Sequence, residues 1–229
     1  MNLRRTLIAA FGALLLPTVA LAQQSLVVGF DEGKNIGRWS FFGDPANPVE
    51  VIERTGGNPG PWLHSTCSGL ACLDTFAPQF RTMLGARSVF TGNYRLKGIT
   101  SLGIDTEILG PSFVSTGSRP LTLVLLDDNG TPNEFGDDSS VYLKGPNIPE
   151  LGAGWVSYSY PVPSQSTGLP SGWGILQGQG TPDQVWNSVI NGVDQVTFMY
   201  GDPELFYIFQ QWEIGVDNIR ITRVGAPAN

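Results

Sequence analysis

The sequence predicts an all-β protein, a sandwich of two antiparallel sheets, and three observations carry that prediction. Glycine (29) and proline (17) make up about a fifth of the 229 residues, punctuation too dense for a helical bundle. Charged residues are only 14% while hydrophobic residues reach 41%, enough to bury a core and to exclude general disorder. Short apolar or alternating runs recur between Gly, Pro, Asn and Asp, the pattern of a protein built from many short strands.

The chain opens on a leader. Arg4 and Arg5 precede the apolar run 7–16 and the small-residue site Ala20-Leu21-Ala22, the tripartite pattern of a secretory signal peptide cleaved after Ala22. The run is shorter than the ~20 residues a spanning helix needs, so we expect residues 1–22 to be removed and no membrane span in the mature chain. Removal takes two arginines and moves the net charge from −7 to −9. We expect a secreted or periplasmic protein. In that oxidising setting Cys67 and Cys72, four residues apart, read as a short disulfide pinning one loop. A metal site there would need further ligands, and a redox pair would have the CxxC spacing.

Residues 23–229 show no internal repeat, heptad or long linker and read as one domain. Residues 26–30 form the first strand-like run. Leu102, Ile104, Thr106 and Ile108 alternate with Asp105 and Glu107, a half-buried strand. Residues 121–126 are apolar on both faces, which suits a central strand. Runs 155–160, 196–200 and 219–221 complete the clear set. Weaker runs near 49–54, 87–95, 139–144 and 205–210 bring the count to roughly ten. One helix is predicted near 182–191: Thr181 as N-cap, Pro182 in the first position, Asp183 at the positive end, Val185, Trp186, Val189 and Ile190 on one face, then Asn191-Gly192 as a stop.

Three motifs, in order, carry a family resemblance. Phe30-Asp31-Glu32-Gly33 followed by Trp39, the loop Gly56-Gly57-Asn58-Pro59-Gly60-Pro61-Trp62-Leu63, and the terminal Gly215-Val216-Asp217-Asn218-Ile219-Arg220-Ile221 resemble the bacterial galactose-binding-like jelly roll. That group includes laminin B (domain IV)-like modules and many carbohydrate-binding modules. The resemblance spans nearly all of the mature chain and implies a jelly-roll β-sandwich. It also implies a structural calcium held by an acidic residue near the start and an Asp near the end. It says little about function, because one sandwich carries many unrelated sites. Surface relatives often end in a hydrophobic sorting tail; residues 225–229 do not resemble one, so the protein is expected to be free.

Strict alternation along the last strand puts Asp217 on the face of Ile219 and Ile221. A carboxylate at a core margin must be capped by backbone donors or neutralised by a cation. Asp31 and Glu32 are the candidate partners, because first and last jelly-roll strands pair, and the Gly56-Gly57-Asn58 loop offers carbonyl oxygens for calcium. The segment 127–138 holds five carboxylates. It reads either as a solvated turn or as a weak second calcium site using Asp127, Asn129, Asp137 and Asp138; its register is not that of an EF-hand.

For ligand binding, Trp62 and Trp173 lie in Gly/Pro-rich stretches where a ring can reach solvent and stack on a sugar, with Asn58 available to bond hydroxyls. Burial is the competing reading for each ring. Trp155, Trp186 and Trp212 adjoin periodic segments and read as core. Catalytic readings lack motifs: His64 is the single histidine, with no Gly-x-Ser-x-Gly partner, and no catalytic residue is assigned. The acidic balance argues against nucleic acid. The sequence thus points to an exported non-catalytic module for carbohydrate, as cell-envelope glycan or environmental polysaccharide. A hydrolase with a carboxylate pair and a structural or adhesive protein-binding domain are the alternatives.

Overall fold

A computed structural model describes residues 23–42, 48–68, 77–84, 88–110, 118–132, 134–205, 207 and 211–224, with only the backbone of Glu32. Residues 1–22, expected to be a signal peptide, Cys72 and part of the 205–210 run lie outside the described residues.

Two antiparallel sheets face each other. The first has the order β3 (Val49–Gly57), β4 (Gly60–Cys67), β12 (Trp212–Val224), β6 (Ile99–Ile108), β9 (Val156–Pro161), and β1 (Gln23–Val28) also pairs with β12. The second has the order β10 (Trp173–Gln177), β8 (Ser139–Asn147), β7 (Pro120–Asp127), β11 (Gln195–Met199), β5 (Gln79–Thr82), β2 (Trp39–Phe41). First and last strands pair as expected, Val28 opposite Ile219.

One apolar core lies between the sheets. It joins Leu63, Leu102, Ile104, Val216 and Ile219 of the first to Trp39, Phe80, Leu123, Leu125 and Phe198 of the second. Trp39 anchors the second sheet's edge, stacked on Phe80 (5.2 Å) and Phe198 (5.7 Å). β7, largely apolar, lies between β8 and β11 and is buried on both faces.

The helix α2 spans Pro182–Asn191 and carries the full capping box: Gln184 N donates to Thr181 Oγ1, and the Gln184 side chain accepts from Thr181 N. Its buried face is Val185, Trp186, Val189 and Ile190, packed on β7, β8 and β10. The run near 87–95 is not a strand. Asn93 caps the amide of Leu96 and starts the one-turn helix α1 (Tyr94–Lys97), which left-handed Gly98 ends. Twelve strands are present among the described residues; β2, β4, β5 and β10 lie outside the runs read from the sequence, and β2, β5 and β10 are too short, at three to five residues, to show a period.

The alternation argument for Asp217 needs correction. Trp212, Ile214 and Val216 face the core, and so do Ile219 and Ile221, so the parity changes between 216 and 219. A bulge does this: the register with β6 slips between Asp217 and Arg220, and Asn218 takes φ 45°. The extra residue places Asp217 on the outer face, in step with Glu213 and Gly215.

Candidate functional site

The outer face of the first sheet carries a buried polar network. Asp217 is 1% exposed and Asp105 2%. Asp217 Oδ2 accepts the N–H of Asn58, and its Oδ1 that of Asn218, both at 2.7 Å. Asp105 is paired with Arg220 Nη1 (2.6 Å) and accepts from Ser157 Oγ (2.6 Å), Asn218 Nδ2 (2.9 Å) and Asn58 Nδ2 (3.2 Å). The β3–β4 hairpin closes over this network through a cis Asn58–Pro59 bond. Gly57 must be glycine there: a Cβ would lie 2.6 Å from Gly60 O and 2.8 Å from Asp217 Oδ2. Asp31, in the short helical turn Asp31–Gly33, brings its carboxylate to Gly29, where that of Asp217 also lies: a Cβ there would stand 3.5 Å from Asp31 Oδ2 and 3.7 Å from Asp217 Oδ1. Burial, with the negative charges of Asp105 and Asp31, raises the Asp217 pKa above the usual carboxylate range; the two backbone N–H groups offset part of that.

Asp31, Asn58 and Asp217 are therefore brought together. Asp105, Asn218 and Arg220 were missed, although Asp105 was already on the outward face of its strand. Its partners sit on other strands, and the bulge that aims Asn218 leaves no local signal. The side chain of Glu32 lies outside the described residues.

Beside this network the same face carries two indoles. Trp62 and Trp155 meet edge to face, centroids 5.6 Å apart at 81°. Trp62 Nε1 donates to Thr55 O (2.9 Å), and Trp155 Nε1 to Gly56 O (3.1 Å). Gly215 lies beneath both; a Cβ there would stand 3.0 Å from each ring. His64 lies against Trp62 (5.0 Å) between two carboxylates, Nε2 3.1 Å from Glu213 and Nδ1 3.6 Å from Glu53. Trp62 is 9% exposed, while Trp155 is half-buried. Trp173 is in the core, edge to face with Trp186 at 5.0 Å. Trp62 and Trp173 lie on different sheets, and for Trp173 the competing reading, burial, is the one the structure shows. Trp155, assigned to the core from sequence, is the more open ring.

A second acidic centre lies where β7 turns toward β8. Asp127, Asp128 and Asp138 are buried. Asp194, just before β11, joins them because its N–H donates to Leu126 O (2.8 Å) as β11 pairs with β7. Asp127 accepts from Ser188 Oγ of α2 (2.5 Å) and from Asn129 N (3.0 Å); Asp128 accepts from Gly130 N (2.8 Å). Asn129 shapes the turn, its Nδ2 donating to Asp137 O. Burial, reinforced by Asp128 and Asp127, pushes the Asp194 pKa up to about 6, although the N–H of Asp128 opposes the rise. Asp138 is also raised, by burial and then by Asp137, Asp128 and Asp127.

Cys67 is buried at the end of β4, and its expected partner Cys72 lies outside the described residues. Among the described residues no helix is long and apolar enough to cross a membrane.

No protein-family model matches the chain, and no curated protein matches it in sequence. Solved structures do match it. The L4b domain of human laminin alpha-2 superposes with a TM-score of 0.50 at 6% identity, over 90% of this chain and all of that domain. The chain has a jelly-roll β-sandwich fold. An exo-β-agarase matches over 90% of this chain at 14% identity (TM-score 0.46), and this jelly roll spans about a quarter of that enzyme's length, 25%. The module CBM27-1 of Caldicellulosiruptor saccharolyticus, solved with mannohexaose, matches over 86% of this chain and 96% of its own at 11% identity (TM-score 0.39). Of the three, it is the laminin likeness that speaks for the fold, and for nothing further.

Proposed function

We propose that this protein is an exported, non-catalytic module that binds carbohydrate on the outer face of its first sheet. The observation that carries the reading is the Trp62–Trp155 pair. Both N–H groups are spent on backbone carbonyls, so the rings are held in place, and Gly215 leaves the space beneath them free of side chain. A fixed, half-open indole presents an apolar face to a sugar ring at little cost in conformational entropy, with Glu53 and Glu213 close by to accept from hydroxyls. The ring nitrogens of His64 face Glu53 and Glu213, which holds the imidazole beside Trp62. A calcium shared by Asp31 and Asp217 belongs to the same reading. Its support is their convergence at Gly29, and it would brace the pairing of β1 with β12. The disulfide Cys67–Cys72 belongs to it as well, pinning the loop after β4.

A glycan array followed by titration calorimetry tests the binding. The wild type is expected to bind at least one glycan, and Trp155→Ala to lose tenfold or more in affinity while melting within a few degrees of wild type. No binding by the wild type, or unchanged affinity in Trp155→Ala, would overturn the reading.

A further inference from the structure

The β7–β8 turn gathers five carboxylates: Asp127, Asp128, Asp137 and Asp138 from the turn, and Asp194 from the start of β11. Among the described residues no lysine or arginine forms an ion pair with any of them. Three of them, Asp127, Asp128 and Asp194, each present an oxygen within 4.8 Å of the other two. Like charges brought this close and half-withdrawn from water repel strongly, and backbone N–H groups relieve only part of that.

The turn's own hydrogen bonds do not use up these groups. Asp138 is 6% exposed, and the charges it faces are those of Asp137, Asp128 and Asp127. Asp137 accepts from Thr131 Oγ1 with Oδ2 (2.9 Å), while its Oδ1 is buried with no hydrogen-bond partner. A buried carboxylate oxygen without a donor costs free energy that the fold recovers only if something positive sits against it.

We infer that this turn is a calcium site, with Asp127, Asp128 and Asp194 as the central ligands and Asp138 and Asp137 completing the shell. The distances suit the ion. Calcium–oxygen bonds of 2.3–2.6 Å put two ligands of one ion at most about 5 Å apart. The donor set is all oxygen, which selects a hard cation over zinc or copper. Its irregular arrangement suits calcium's six to eight flexible positions better than magnesium's strict octahedron. Asp194 comes from the strand pairing, so the ion would tie the β7–β8 turn to β11 and, through Ser188, to α2. This site is separate from the calcium considered at Asp31 and Asp217.

Thermal melting of metal-free protein with and without 10 mM calcium chloride tests it, using Asp31→Asn to remove the other candidate ion. Extracellular calcium modules bind at about 0.1–1 mM, so calcium is expected to raise the midpoint of Asp31→Asn by about 5 °C. Asp31→Asn/Asp138→Asn should lose that gain. Without calcium Asp138→Asn should melt at or above the wild type, since it removes a repelling charge; this separates loss of the ion from loss of the fold. A calcium response confined to proteins with Asp31 intact would overturn this site and leave the first. A response that persists in Asp31→Asn/Asp138→Asn, or none in any protein, would also overturn it.

Discussion

Glu50 leaves the edge strand β3 and reaches toward the opposite sheet, where its Oε1 accepts the N–H of Phe41 at 2.5 Å. Burial raises its pKa, and the hydrogen bond from Phe41 only partly opposes the rise. A folded-state pKa above the unfolded one means that the native protein holds the proton more tightly. The resulting stability is fully present below the ordinary carboxylate pKa and is lost as pH climbs through the raised value. Glu50→Gln keeps the acceptor and removes the charge. It is expected to melt higher than wild type at pH 7, with the gain gone near pH 4, as followed by calorimetry at the two pH values. At this scale the sequence told which residues carry chemistry and less often where they point. Asp105 was placed on the outward face from alternation alone. Asp217 was misplaced because one bulge residue shifts parity, and Trp173 is in the core because a Gly/Pro-rich flank shows only that a ring has room to turn outward, not what covers it.

The helix α2 was the most legible element, since its start, stop and buried face all rest on interactions within ten residues. Thr181→Ala removes the cap oxygen and is expected to cost about 1 kcal/mol, about 2–4 °C in the melting midpoint for a chain of this size. The same measurement on Asn187→Ala would report contacts the sequence did not show, since Asn187 accepts from Arg95 Nη2 (2.7 Å) and donates to Thr167 O (2.6 Å). β7 was legible for a similar reason, its unbroken apolar run marking it as central. The bulge in β12 was not, because Asn218 resembles any other strand residue until its partners on β6 are known. Nor was the membership of Asp194 in the second acidic centre, which depends on β11 pairing with β7 across about 70 residues of chain.

Apart from Trp39 on the second sheet, the three motifs behind the family resemblance fall on neighbouring pieces of the first: the end of β1, the β3–β4 hairpin, and β12, which pairs with both β1 and β4. The whole-molecule architecture was therefore readable from their order, since residues shared by adjoining strands are the ones a jelly roll constrains. The ligand face was less readable, because it is assembled from β3, β4, β9 and β12, and no stretch of sequence contains it. The acidity placed in the sequence at 127–138 and at the first and last strands resolves into two centres of different character. One is largely satisfied by Arg220 and backbone N–H groups, and the other retains carboxylate oxygens without donors. The central claim, that ligand engages the outer face of the first sheet, is tested most directly by the indole N–H resonances of the six tryptophans during titration with a glycan selected on the array. The account expects the signals of Trp155 and Trp62 to move while those of Trp39, Trp173, Trp186 and Trp212 stay fixed. Movement of the buried four with Trp155 unchanged, or no movement at saturating glycan, would contradict it.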